Sequence, residues 1–210
     1  MQMKPTFFLT ALAILSIAWV TTPSKAQADT FLHAPSSHVE ERARTRPPIG
    51  HVRFCRQRPE ECRGGTQAPR LVKLAGQSWR DMDAINRAVN RRIAPVTDLE
   101  LYGVPEHWTY PTNAGDCEDY LLLKRWMLME RGWPAEALLI TVVLDRNGEG
   151  HAVLTVSTDH GDYILDNTTD TILPWHQTGY RFVKRQSRFH PGKWVSLGRG
   201  AGVSLVGQSG

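Results

Sequence analysis

The sequence predicts an α+β domain in which helices come first and an antiparallel meander follows. Two observations carry this. Apolar residues recur at helical spacing from Ser78 to Ile93 and again from about Asp116 to Leu128. After Gly132 and Pro134 the period changes to short β-rich runs separated by turns. The chain has 210 residues, 41% of them hydrophobic, which suits one domain with extensions and a real core. Three cysteines cannot make a disulfide scaffold, and no run of about 20 apolar residues marks a membrane-spanning helix.

The first element is an address. Lys4 opens a short polar segment, Phe7 to Val20 is a predominantly apolar stretch, and a polar region from Pro23 ends in Ala26-Gln27-Ala28. That order predicts a secretory signal over residues 1–28, cleaved after Ala28. A short membrane anchor is the alternative. Residues 29–50 are polar and basic, with Pro35, Pro47 and Pro48 and no apolar periodicity, and read as a flexible arm. A folded domain is expected over 51–197. Its first part, residues 51–77, reads as irregular.

The first helix follows from Trp79, Met82, Ile85, Val89 and Ile93. Ser78 and Asp81 form a capping-box start, and Pro95 ends the run. A loop passes through Gly103, Pro105 and Pro111. The second helix starts near Asp116 and buries Leu121, Leu122, Met127 and Leu128, with Gly132 and Pro134 as stop signals. Strands are then expected at Leu138–Leu144, Ala152–Val156 and Tyr163–Asp166, with turns at 146–150 and 159–162. Tyr180–Lys184 and Trp194–Leu197 add two more. The Gly-rich end, 198–210, reads as a disordered tail.

Charge narrows the function classes. The whole chain carries +4, but residues 1–28 hold Lys4, Lys25 and no acid, so the remainder is close to neutral. That gives little support to nucleic-acid binding. Export implies an oxidising compartment, a bacterial periplasm or the exterior, with no membrane segment after cleavage.

Cys55 and Cys62 lie seven apart, where a bridge would close a short loop, and Cys117 is the odd one out. An unpaired cysteine in an exported protein is a candidate reactive thiol, an inert buried cysteine being the alternative. Cys117 stands at the expected start of a helix, where unpaired N–H groups stabilise a thiolate or an oxyanion. His151, after Gly148-Glu149-Gly150 at the mouth of a strand, is the candidate base, and Asp166 at the end of the next strand could orient it. Register decides whether they meet. A two-residue turn at His160-Gly161 would leave Asp166 about 13 Å along the strand from His151. The triad therefore calls for an earlier turn, centred on Thr158-Asp159, or a bulge.

Asp116, Glu118 and Asp119 flank Cys117 directly. Acids suit a helix N-terminus, yet three carboxylates beside a thiol oppose its ionisation. A bound hard cation would remove the conflict, and carboxylate oxygens suit Ca²⁺. The run Asp145 to Gly150 copies the first half of an EF-hand loop, but Val156 occupies the twelfth position, which excludes that reading. No cysteine or histidine pair has zinc-finger spacing.

The block Asn113-Ala114-Gly115-Asp116-Cys117-Glu118-Asp119-Tyr120, with Gly150-His151-Ala152-Val153-Leu154 and Leu165-Asp166-Asn167, resembles the LapG-type bacterial transglutaminase-like cysteine peptidases. The resemblance runs from about residue 51 to 197. It implies a papain/transglutaminase-like core with Cys117 as nucleophile, His151 as base and Asp166 as orienter. It also implies calcium held by Asp116, Glu118 and Asp119, a protein substrate such as a large surface adhesin, and an inner-membrane regulatory receptor of the LapD type. The basic arm and the Cys55/Cys62 pair stand outside the minimal pattern. The function so predicted is a periplasmic cysteine endopeptidase. Acyl transfer to an amine by the same residues, or a non-catalytic binding module, are the alternatives.

Overall fold

The computed structural model describes residues 37–64 and 68–198, apart from Gln2 near the start. The expected secretory signal, residues 1–28 apart from Gln2, and the Gly-rich tail beyond Gly198 lie outside these residues. Two helices build one layer, α2 (Gly76–Arg92) and α4 (Cys117–Glu130). The other is a seven-stranded sheet of order β1-β9-β8-β4-β5-β6-β7, antiparallel throughout. Its strands are β1 (Glu41–Thr45), β4 (Leu138–Leu144), β5 (Gly150–Thr158), β6 (Gly161–Leu165), β7 (Leu173–Pro174), β8 (Arg181–Ser187) and β9 (His190–Leu197). A two-stranded parallel ladder, β2 (Ala94–Pro95) with β3 (Ala114–Gly115), and a short helix α3 (Asp98–Tyr102) occupy the loop between α2 and α4. The α+β architecture is as expected.

The core explains why the central strands read as continuous apolar runs. Met82, Ile85 and Val89 of α2 and Leu121, Leu122 and Leu128 of α4 pack on Leu138, Ile140, Val142, Ala152, Leu154 and Val156. The alternate residues Val143, Val153 and Ile164 join Val39, Phe182 and Leu197 on the other face. With both faces covered, β4 is buried along its whole length.

The N-terminal expectations need correction. Residues 29–50 are not an arm throughout: β1 pairs with β9, and α1 (Ile49–Gln57) begins just after Pro48. An edge strand carrying Glu-Arg-Ala-Arg-Thr shows no apolar alternation. Backbone bonds and the Glu41 carboxylate hold it, the latter accepting from Arg185 and Arg188. The stretch 51–77 is likewise less irregular than expected, since α1 is followed by a 3₁₀ turn, Pro59–Cys62. A Cys55–Cys62 disulfide, with Cα atoms 5.6 Å apart, ties the two together. Helix α2 starts at Gly76, two residues before Ser78, whose hydroxyl reaches back to the Ala75 N–H at 2.7 Å.

Candidate active site

Cys117 is the first residue of α4 and the chain's free cysteine. The turn that presents it is tight. A Cβ on Gly115 would stand 2.5 Å from Asp119 Oδ2, so only glycine fits there. The Cys117 thiol lies against the Ala152 N–H near the start of β5, and Ala152 is the residue that follows His151 in the chain. Its hydrogen bond goes to Glu118 Oε2 at 3.2 Å, not to the imidazole. Burial, then the charges of Glu118 and Asp116, push the thiol well above its ordinary value.

His151 and Asp166 do meet, by a route the sequence reasoning did not foresee. The hairpin turns at Asp159-His160, with Thr158 paired to Gly161 and Leu154 to Leu165. Continued one step, this register sets Asp166 opposite Val153, two residues short of His151 and on the same face. The imidazole spans that diagonal, and its Nε2 lies 2.9 Å from Asp166 Oδ1. Neither the earlier turn nor a bulge is needed. Asp166 Oδ1 also accepts the Thr168 N–H at 3.0 Å, and Oδ2 accepts the Tyr180 hydroxyl at 2.5 Å. Burial alone would raise this carboxyl, but His151, Thr168 and Tyr180 together hold it at about 2. An ionised Asp166 accepts a hydrogen bond from Nε2–H, which leaves Nδ1 of a neutral imidazole as the basic nitrogen. Underneath, the buried Lys124 donates to the Asp166 carbonyl at 2.8 Å, and burial brings its ammonium down to about 7.

Of the three expected metal ligands the structure gathers two. Oxygens of Asp116 and Glu118 lie with one of Asp98 within 4.8 Å of one another. Asp119 stands aside from that trio, its Oδ1 accepting the Thr109 N–H at 2.9 Å. Asp98 was missed because a non-local feature brings it in. The parallel β2–β3 ladder continues through Val96 N–H to Gly115 O, and the Asp98 N–H then donates to Asp116 Oδ2 at 3.3 Å. The legible local signal was only the Thr97/Glu100 capping box that starts α3.

The chemistry of this donor set fits a hard cation. Asp98 Oδ1 and Asp116 Oδ1 of the trio, and Asp119 Oδ2 next to it in the chain, are sealed from solvent without a hydrogen-bond donor among the described residues. Burial and mutual repulsion raise the Asp116 and Glu118 carboxyls, and burial with the charges of Asp116 and Asp98 pushes Asp119 up to about 8. Oxygen-only donors of this kind suit Ca²⁺ and do not suit a thiophilic metal.

The family model of the bacterial transglutaminase-like cysteine proteinases, BTLCP, matches residues 41–201, so the match begins with β1. Curated proteins give no match. Among solved structures the chain is similar to calcium-bound LapG of Legionella pneumophila, at 23% identity over 59% of this chain and 73% of that one, TM-score 0.49. EGTA-treated LapG of the same organism is similar at 22% identity over 60% and 70%, TM-score 0.47.

Proposed function

The chain belongs to the bacterial transglutaminase-like cysteine proteinase family, and from that premise we propose an exported endopeptidase working through Cys117, His151 and Asp166. What supports the triad above all is the 2.9 Å His151–Asp166 bond beside a thiol that touches the Ala152 N–H. The N-terminal segment supports export, and the family supports a protein substrate, for which a surface adhesin under control of a LapD-type receptor is our reading.

His151 Nδ1 takes the Cys117 proton, and the thiolate sulfur bonds to the scissile carbonyl carbon. The oxyanion that forms meets the free first-turn N–H groups of α4. As the C–N bond breaks, the proton on Nδ1 passes to the departing amine and an acyl-enzyme is left. Water, deprotonated by the same nitrogen, then releases the acid and restores the thiol. Asp166 stays ionised throughout and steadies the imidazolium. The start of α4 carries an obstacle, because Glu118 holds the thiol proton. Asp98, Asp116 and Glu118 would hold calcium, with backbone carbonyls or water completing its 6–8 sites, and its charge would offset theirs beside the thiol.

Labelling with an electrophilic cysteine probe, followed by cleavage of an adhesin fragment, tests the reading. Cys117→Ala and His151→Ala should each abolish turnover, and the pair together should be hardly worse than either alone. Chelation should stop turnover reversibly, with Ca²⁺ restoring it better than Mg²⁺. Full cleavage by the His151→Ala protein would overturn the triad, and full cleavage in chelator would overturn the calcium site. An amide product in the presence of added amine would instead indicate acyl transfer.

A further inference from the structure

A cavity of about 310 Å³ opens far from this site. Leu139 in its wall pairs with Thr155, four residues from the Val143–His151 pair, roughly 13 Å along the strands. Arg125, also in its wall, is eight residues beyond Cys117, about 12 Å along α4. The catalytic chemistry makes no use of the cavity.

Three guanidinium groups line it: Arg63, Arg125 and Arg188. Arg125 is 3% exposed, and burying a guanidinium requires partners for its donors. Its Nε donates to Leu138 O at 3.1 Å and its Nη1 to Glu61 Oε2 at 3.2 Å. Nη2 has no acceptor among the described residues, and the side chain forms part of the cavity wall. Arg188 uses Nε on Glu41 Oε1 at 3.2 Å and keeps its two Nη groups. Arg63 has no acceptor among the described residues. The nearby acids are already engaged, because Arg70 holds Glu136, Arg125 holds Glu61, and Arg185 shares Glu41. The remaining wall is mixed: Glu136, already paired with Arg70, and the polar Gln186 and Ser187 stand beside the apolar Leu139, Pro191 and Phe189, the last 64% exposed at the tip of the β8–β9 hairpin.

Uncommitted guanidinium forks match the geometry of carboxylate and phosphate oxygens, and the volume falls at the lower end of small-molecule sites. We propose that this cavity binds a small organic oxyanion, a carboxylate or phosphate carried on an apolar body. The arginines take the head group, and Leu139, Pro191 and Phe189 take the body. An exposed aromatic beside a cationic wall has no packing role of its own, and here it becomes part of a binding surface.

Titration calorimetry on the full-length protein tests this with phenyl phosphate and benzoate, against inorganic phosphate and an oligoglutamate peptide. Phenyl phosphate or benzoate should bind at one site and more tightly than inorganic phosphate. Arg63→Ala and Arg188→Ala should each weaken that binding about tenfold, the size of a lost charge-assisted hydrogen bond. Phe189→Ala should erase the preference for the aromatic anions over inorganic phosphate. Electrophile labelling of Cys117 should be the same in all three variants, which establishes that they fold. Undiminished affinity in the Arg63→Ala/Arg188→Ala double variant would overturn the proposal. So would the absence of heat with both aromatic anions, or binding by oligoglutamate alone, which would make the cavity a polypeptide exosite.

Discussion

Two buried charged clusters in this protein are built in opposite ways. Arg185, fully buried in β8, donates from Nη1 to Asp162 Oδ2 at 2.7 Å and from Nη2 to Glu41 Oε1 at 2.8 Å. Asp162 also accepts from Ser157 Oγ at 2.7 Å and from the Val39 N–H at 2.9 Å. That cluster stitches β1, β6 and β8 and leaves no carboxylate oxygen of Asp162 or Glu41 sealed and unpartnered. At the start of α4 the balance is reversed, since Asp98, Asp116 and Asp119 each keep one sealed oxygen with no donor among the described residues. The first cluster is complete within the chain. The second is a set of desolvated carboxylates that the chain does not finish, and it adjoins the thiol. Incomplete charge satisfaction marks where an outside group is expected.

Breaking the complete cluster should have the largest effect. Arg185→Met leaves Asp162 buried without its cation and should cost about 3–5 kcal/mol. Urea unfolding measures it through a lower midpoint at constant slope, and a loss under about 1 kcal/mol would deny the cluster its structural role. A somewhat smaller effect is expected of a neutral buried base. His51 is enclosed by Trp108 and Trp194, and burial, assisted by Arg125, lowers its imidazole from 6.5 to about 4. The unfolded chain therefore takes up the proton first, and stability falls as pH drops from 6.5 towards 4, by about 2–3 kcal/mol. His51→Gln should flatten that slope. Asp166, held at about 2, acts in a separate and lower window, where stability is lost as pH falls from 3.8 through 2.

Local signals made most of the fold legible. Leu138–Leu144 matched its strand end to end, and Gly132, with φ +82, follows the end of α4 as its stop signal predicts. The cysteine pairing was readable from number and spacing. What failed was non-local. The polar residues of β1 carry no apolar pattern, because its place comes from backbone pairing and from Arg185. Asp98 reaches Asp116 only through a parallel ladder, and parallel pairing leaves no turn in the sequence to announce it. The His151–Asp166 diagonal was missed because an imidazole reaches further than the backbone register alone suggests.

The incomplete cluster should respond to neutralisation with the opposite sign from Arg185. Asp116→Asn removes one of the crowded carboxylates and supplies an N–H donor to its neighbours. In chelator it should therefore raise stability, by about 1 kcal/mol. Added calcium raises the melting temperature of the unaltered protein in our reading, and in this variant that rise should be lost. If Asp116→Asn instead destabilised the chelated protein as an ordinary core lesion does, the two clusters would be alike and the contrast would fail.

The smallest effect expected sharpens the contrast at the proposed triad. Tyr180 donates to the Asp166 oxygen that His151 does not use, and its ring lies 5.6 Å from the imidazole. Tyr180→Phe keeps the ring and removes one hydrogen bond, so stability should fall by only about 1 kcal/mol. Asp166 would then lose one of the groups that hold it near 2, and its pKa should rise. Turnover should drop about tenfold with KM little changed, because what suffers is the orientation of Asp166, and with it of the imidazole, in the transition state. The acid limb of the kcat/KM profile should move towards higher pH. A purely packing role for Tyr180 would leave that limb in place, since a phenyl ring fills the same space. The pH profile thus separates positioning from packing where the size of the stability loss does not.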